Sequence, residues 1–117
     1  MQDFKKINAW KRSHDFLLEI YKITDNFPEK EKFRLTNQLV RAASSVPTNI
    51  AEGSGKDGPA DFGRYLRISM GSCSEVEYLL LLAKDLKYID EKEYKKLNKE
   101  IIEIRKMTYA FCETIIN

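Results

Sequence analysis

The chain has 117 residues with 20 basic and 18 acidic side chains, a net charge of +2, and 32% charged against 43% hydrophobic composition. That length suits one domain, residues 1–117, with a core that needs no disulfide or metal staple. Charge is evenly spread, with ten basic and eight acidic residues over 1–58 and ten of each over 59–117, which neither demands nor excludes nucleic acid.

The first helix is expected over about 8–26. Trp10, Leu17, Tyr21 and Thr24 recur at spacings near three and four, and Phe16, Ile20 and Phe27 widen the stripe. Phe27-Pro28 ends it, because the residue before proline is pushed out of helical geometry. The second helix begins between Glu29 and Thr36, since the acids at 29 and 31 and Thr36 all suit a first turn. Its inner face reads Leu35, Leu39, Ala42, Val46 and Ile50. Pro47 lies inside it, removing a backbone N–H and crowding the carbonyl of Ala43, at a cost of about 3 kcal/mol in a free helix. A kink at Pro47, supported by the hydroxyls of Ser44 and Ser45, is expected. Gly53 is expected to close this helix in a left-handed conformation.

Ser54 to Gly58 reads as a flexible link, and Pro59 suits the first position of a third helix with Asp61 near its positive end. Phe62, Leu66, Ser69, Cys73, Val76, Leu80 and Ala83 form its seam, while Met70, Tyr78, Leu81 and Leu82 fall off it. The fourth helix starts at an Asp90 N-cap, with Glu93 completing a capping box and Ile89 stapling onto Tyr94. Its seam is Tyr94, Leu97, Ile101, Ile104, Thr108, Phe111 and Ile115, with Ile102, Tyr109, Cys112 and Ile116 on a neighbouring stripe. Four helices with short links predict an all-α fold, an antiparallel up-down-up-down four-helix bundle. A single bundle buries one face of each helix, so Met70, Tyr78, Leu81, Leu82, Ile102 and Tyr109 mark a subunit interface closed by cyclic symmetry. A wider monomer core, or a few exposed leucines, is the alternative.

The run Arg41-Ala-Ala-Ser-Ser-Val-Pro47-Thr-Asn49-Ile-Ala-Glu52-Gly53, followed by Arg64 to Glu77, resembles the small bacterial four-helix-bundle proteins called 23S rRNA intervening-sequence proteins. Trp10, Ile20-Tyr21 and Phe27-Pro28 are similar too, so the resemblance spans nearly the whole chain. It implies a ring, commonly a homopentamer. It extends to accessory proteins of diversity-generating retroelements, which form such rings and bind a reverse transcriptase.

With the link between the second and third helices centred near Lys56, Ser45 is level with Arg67 and Ala42 with Met70. Arg41 falls about one turn from Glu75, and Asn49 lies near Gly63 and Arg67. The expected result is a polar cluster of Arg41, Asn49, Glu52, Arg67 and Glu75 beside a close approach of small residues. Such a cluster is either a ligand or nucleic-acid site or a structural network that satisfies a kinked backbone and fixes register. By the same arithmetic Cys73 and Cys112 are about a turn apart, too far for an unstrained disulfide, and read as small core residues.

Several motifs carry no chemistry. Gly53 to Gly58 matches G-x-G-x-x-G by accident, because a helix rather than a strand precedes it. Gly55-Lys56 lacks the upstream glycine and the Ser or Thr of a P-loop. His14 is the only histidine, with no partner ligands for a metal. Ser44 and Ser45 lack a base, so no enzyme and no cofactor is expected.

Lys5, Lys6, Lys11 and Arg12 cluster at the amino end, and Arg64 and Arg67 share a face of the third helix; these are the candidate nucleic-acid contacts. Lys92, Lys95, Lys96 and Lys99 are interleaved with acids, which a solvated helix face explains equally well. In a ring each modest patch is repeated, and salt-dependent binding grows with the phosphates contacted. Polar Asp3, Lys5 and Lys6 argue against a secretory signal, Tyr78 to Ala83 is too short to span a bilayer, and two cysteines predict a reduced cytoplasmic setting. The expected function is a non-enzymatic homo-oligomeric scaffold that contacts RNA, DNA or a nucleic-acid enzyme. A purely protein-binding oligomer and a small-molecule site at the polar cluster are the alternatives.

Overall fold

Apolar residues spaced three and four apart are realised as four helices. These are α1 (Asn8–Thr24), α2 (Leu35–Ser54), α3 (Pro59–Asp85) and α4 (Glu91–Ile116), with short 3-10 turns at Phe4–Lys6 and Glu29–Glu31. The computed structural model describes residues 2–117, and no strand occurs among them. The molecule measures 43 × 24 × 19 Å, the long axis matching α3, whose 27 residues span about 40 Å at 1.5 Å per residue.

The expected inner face of α2 and the seam of α3 are buried throughout, as are Leu97, Ile101, Ile104 and Thr108 of α4. Leu39, Ile50, Leu66, Leu80, Leu97 and Ile101 are fully enclosed, and each contributes about 1.5–3 kcal/mol relative to exposure. α1 is rotated from its expected setting. Its buried line is Ala9, Ser13, Phe16, Ile20 and Thr24, while Tyr21 is exposed. Trp10 and Leu17 are half-buried against the core, the Trp10 ring lying 4.9 Å from that of Phe4 and 5.0 Å from that of His14, parallel to it. Phe16 and Ile20, expected at the margin, are the centre. α1 ends at Thr24, whose hydroxyl donates to the Ile20 carbonyl at 2.8 Å.

The start of α2 is held by an acid before it: Glu31 Oε1 accepts the Leu35 N–H at 3.3 Å. The helix runs without interruption through Pro47 to Ser54. Gly53 is therefore inside the last turn, not in a left-handed end, and no glycine has positive φ. Its smallness serves packing. A Cβ there would lie 2.8 Å from Tyr65 Cβ and 2.9 Å from Phe62 Cδ1.

α2 ends one residue past Gly53, leaving the link centred close to Lys56, yet the pairing of α2 with α3 differs from the expected register. Ser45 Oγ accepts from Ser72 Oγ at 2.8 Å, and Ser69 Oγ donates to the Val46 carbonyl at 2.9 Å. Ser45 thus meets a residue more than one helical turn beyond Arg67, its expected neighbour. At the link between α3 and α4, Lys87 takes φ 67°, the N–H of Tyr88 bonds the Ala83 carbonyl, and that of Lys87 bonds Lys84, both at 2.9 Å. This is a Schellman ending with lysine where glycine is usual. Asp90 Oδ1 then caps α4 by accepting the Glu93 N–H at 2.7 Å.

Candidate functional site

Two polar surfaces and one apolar face emerge from this packing. The first surface is an open groove of about 500 Å3 along the first half of α2, lined by Arg34, Asn37, Gln38, Arg41 and Ser45, with Phe33 at its rim and Ala42 in its floor. Glu75 of α3 forms the opposite wall. Arg34, Gln38 and Arg41 fall at spacings of four and three, so they share the side of α2 next to the buried line of Leu35, Leu39 and Ala42. Arg41 and Glu75 line one groove, as the sequence suggested, but no ion pair within 4.0 Å joins them among the described residues, and both are exposed.

The other expected cluster members lie elsewhere. Asn49 Nδ2 donates to the Ser45 carbonyl at 2.8 Å and to Ser45 Oγ at 2.9 Å, reaching back one turn on its own helix. Glu52 is exposed near the end of α2. Arg67 sits beside Gly63, whose virtual Cβ would be 3.7 Å from its Nη1. The shift in register removes Arg67 from the groove. Ser45 links the two regions, lining the groove while its Oγ lies within hydrogen-bond distance of Asn49 and Ser72. Phe33, Arg34, Asn37 and Gln38 were not singled out from sequence. Their signal was a polar line at spacings of three and four beside an aromatic residue with no place in the core pattern.

The second surface lies at one end of the molecule. Gln2 N–H bonds the Ser54 carbonyl at 2.9 Å, and Cys112 Sγ lies 3.9 Å from the Gly63 carbonyl. The amino-terminal segment, the end of α2, the start of α3 and the end of α4 therefore share this end. Lys5, Lys6, Arg64 and Arg67 lie toward it, but the amino-terminal turn packs on α1 and α2 and not on α3. The lysines and arginines are thus on separate sides of that end, and Lys11 and Arg12 follow along α1. Not all are free. Arg12 pairs with Glu103 at 3.3 Å, and Arg64 stacks on Tyr65 at 4.6 Å with Asp61 at 3.5 Å. Lys96, at the other end, pairs with Glu19 at 3.0 Å.

The apolar face is on α3. Tyr78 is 60% exposed, with exposed Leu81 about one turn further along and exposed Ile68 about three turns back toward the start of the helix, and Tyr109 of α4 is 58% exposed. Met70 and Leu82 are half-buried against the core, and Ile102 is half-buried. Gly71 lies on the same side of α3 as Tyr78, with nothing within 4 Å of a virtual Cβ.

Cys73 and Cys112 are buried free thiols. Burial pushes the Cys73 thiol up to about 12 and that of Cys112 upward too, which suppresses the thiolate form. His14 stacks on Trp10. Among the described residues no group of three or more His, Cys, Asp or Glu is placed to hold a metal ion, and no helix is long and apolar enough to cross a membrane.

The fold and its surfaces define an all-helical protein whose polar features are an open groove and a basic end. The sequence profile of the 23S rRNA-intervening sequence protein family matches residues 5–110, and the chain belongs to that family. A solved structure, a protein of unknown function from the S23 ribosomal protein family of Bacteroides thetaiotaomicron, is similar at a TM-score of 0.80 and 29% identity, covering 89% of this chain and 97% of that one. A search of curated proteins finds no match.

Proposed function

We propose that this chain is a non-enzymatic homo-oligomeric scaffold that contacts RNA or DNA, or an enzyme acting on them, through its basic end. In this reading the helices form an antiparallel up-down-up-down bundle, with α2 bent at Pro47, and copies close into a ring. The supporting observation is the outward face of α3. Tyr78, Ile68 and Leu81 lie outside a core that is already closed, and a glycine in open space on an exposed helix costs about 0.5–1 kcal/mol relative to alanine. A second copy lying against this face would cover the aromatic ring and use the room at Gly71. Five copies are favoured by the family resemblance.

The nucleic-acid part of the reading is supported by the presence of Lys5, Lys6, Arg64 and Arg67 toward one end, on separate sides of it, which symmetry would repeat around a ring. The sequence carries no recognisable sequence-reading motif, and in this reading affinity comes from charge and shape. The test is native mass by light scattering, with and without a random RNA, at two salt concentrations. A multimer that binds RNA at low salt and releases it at high salt supports the reading. A multimer indifferent to RNA moves the function to a protein partner, and a monomer overturns the ring. Charge reversal at Arg64 and Arg67 together should abolish RNA binding with helicity intact; unchanged binding would discard that surface.

A further inference from the structure

We infer that the groove along the first half of α2 holds one nucleotide, with its phosphate on Arg34 and Arg41 and its base on Phe33. The inference deepens the nucleic-acid reading above by adding a site where a single unpaired residue is held, separate from the basic end.

Three features of the groove point to that ligand. Phe33 is 83% exposed, more than any other large apolar side chain among the described residues, and it stands at the rim of a polar cavity. The Lys32 ammonium lies 5.5 Å from its ring centroid, adding positive charge beside the aromatic surface. Arg34 and Arg41 line the same space, and neither has a carboxylate within 4.0 Å among the described residues, so both guanidinium groups keep donors for an incoming anion. Between them, Asn37 and Gln38 present amides that donate and accept.

A bare anion would use the arginines and leave the ring and amides idle. A nucleotide uses all of them: every base has a π-face for Phe33, and amides pair with base edges. Glu75, the one carboxylate of the groove, repels a phosphate on its own side and accepts from a base amino group. The volume of about 500 Å3 falls within the roughly 300–1,000 Å3 typical of small-ligand sites. A duplex keeps its bases stacked away from Phe33, so the ligand is a free nucleotide or an unpaired residue of a strand.

Fluorescence anisotropy with a labelled single-stranded RNA decanucleotide tests this on the full chain, with AMP and an RNA duplex as the other two probes. Phe33→Ala should weaken single-strand binding about tenfold, leave duplex binding unchanged, and be rescued by Phe33→Tyr. Arg41→Gln should weaken binding and lower the slope of log affinity against log salt by about one. AMP should shift the side-chain amide resonances of Asn37 and Gln38 if free nucleotide is a source; competition only by the oligonucleotide assigns the site to a strand. If wild type binds RNA and both variants bind equally well with the same salt slope, the groove is not the site while the nucleic-acid reading stands. If wild type binds AMP alone, the groove stands and that reading falls. If it binds neither, both fall. Circular dichroism and light scattering accompany each variant, and a fall in native mass for Phe33→Ala assigns the ring to a subunit contact and overturns the inference.

Discussion

The Tyr88 hydroxyl donates a 2.8 Å hydrogen bond to Glu31 Oε2, across 57 residues of sequence. Glu31 Oε1 meanwhile accepts the first N–H of α2, and the Tyr88 ring packs 5.5 Å from that of Phe27. One carboxylate thus ties the link between α1 and α2 to the link between α3 and α4, at the end of the molecule opposite the basic surface. The Tyr88 hydroxyl, the Leu35 N–H and the nearby Arg34 and Lys30 charges together hold the Glu31 carboxyl below its ordinary 4.5, against the effect of burial. The same hydrogen bond raises the Tyr88 phenol above its ordinary 10.

Stability should follow those shifts. A carboxyl with a lowered folded pKa contributes above pH 4.5, and the contribution is lost as pH falls through the folded value. A phenol with a raised pKa contributes below pH 10, and its share is lost as pH rises through the folded value. Tyr88→Phe, which retains the ring, should lower Tm at pH 7, with the gap closing below pH 4.5 and above pH 10. Thermal melts across that range check it, and a gap independent of pH would separate the effect from the Glu31 contact.

Two glycines should respond in opposite directions. Gly53→Ala forces a Cβ within 3 Å of Tyr65 Cβ, an atom fixed to the backbone, and should destabilise the fold by about 1–3 kcal/mol. Gly71→Ala meets open space and should stabilise an isolated chain by about 0.5–1 kcal/mol. Urea denaturation measures both. A Gly71→Ala variant that loses native mass would instead show that another surface comes close there.

Lys87 holds a left-handed conformation that costs an L residue roughly 1–2 kcal/mol. Lys87→Gly keeps the Schellman hydrogen bonds and should stabilise the protein by about 1 kcal/mol. A Tm no higher than wild type would count against the strain.

Glu75→Ala should change stability by no more than about 0.5 kcal/mol, because the carboxylate is exposed and unpaired with Arg41. The sequence alone allowed a buried Arg41–Glu75 pair, whose loss would cost about 1–3 kcal/mol. Denaturation of the variant separates the two.

The Cys73 thiol, raised by burial from 9.0 to about 12, should resist a thiol reagent until the protein unfolds. Its raised folded pKa means that its contribution is complete below pH 9 and is lost as pH climbs toward 12. A Cys73→Ala variant should therefore show a shallower loss of stability over that interval. Fast labelling of the native protein at neutral pH would contradict the burial.

The sequence by itself determined the helices, the buried lines of α2, α3 and most of α4, the Asp90 cap and the family. Each of these is written in a local window: a spacing of three and four, a capping residue, a proline at a first turn. α1 was less legible, because Tyr21 and Leu17 are as apolar by pattern as Phe16 and Ile20, and only packing decided which pair faces inward. The tertiary structure decided the site. Sliding one helix by a turn against its neighbour leaves its apolar pattern unchanged, so nothing local distinguished Ser45 beside Arg67 from Ser45 beside Ser72. That choice was settled between the helices, where Ser45 meets Ser72, Ser69 meets Val46 and Gly53 fits against Phe62 and Tyr65. It put Arg67 at the basic end, and it left Arg34, Arg41 and Glu75 around one groove.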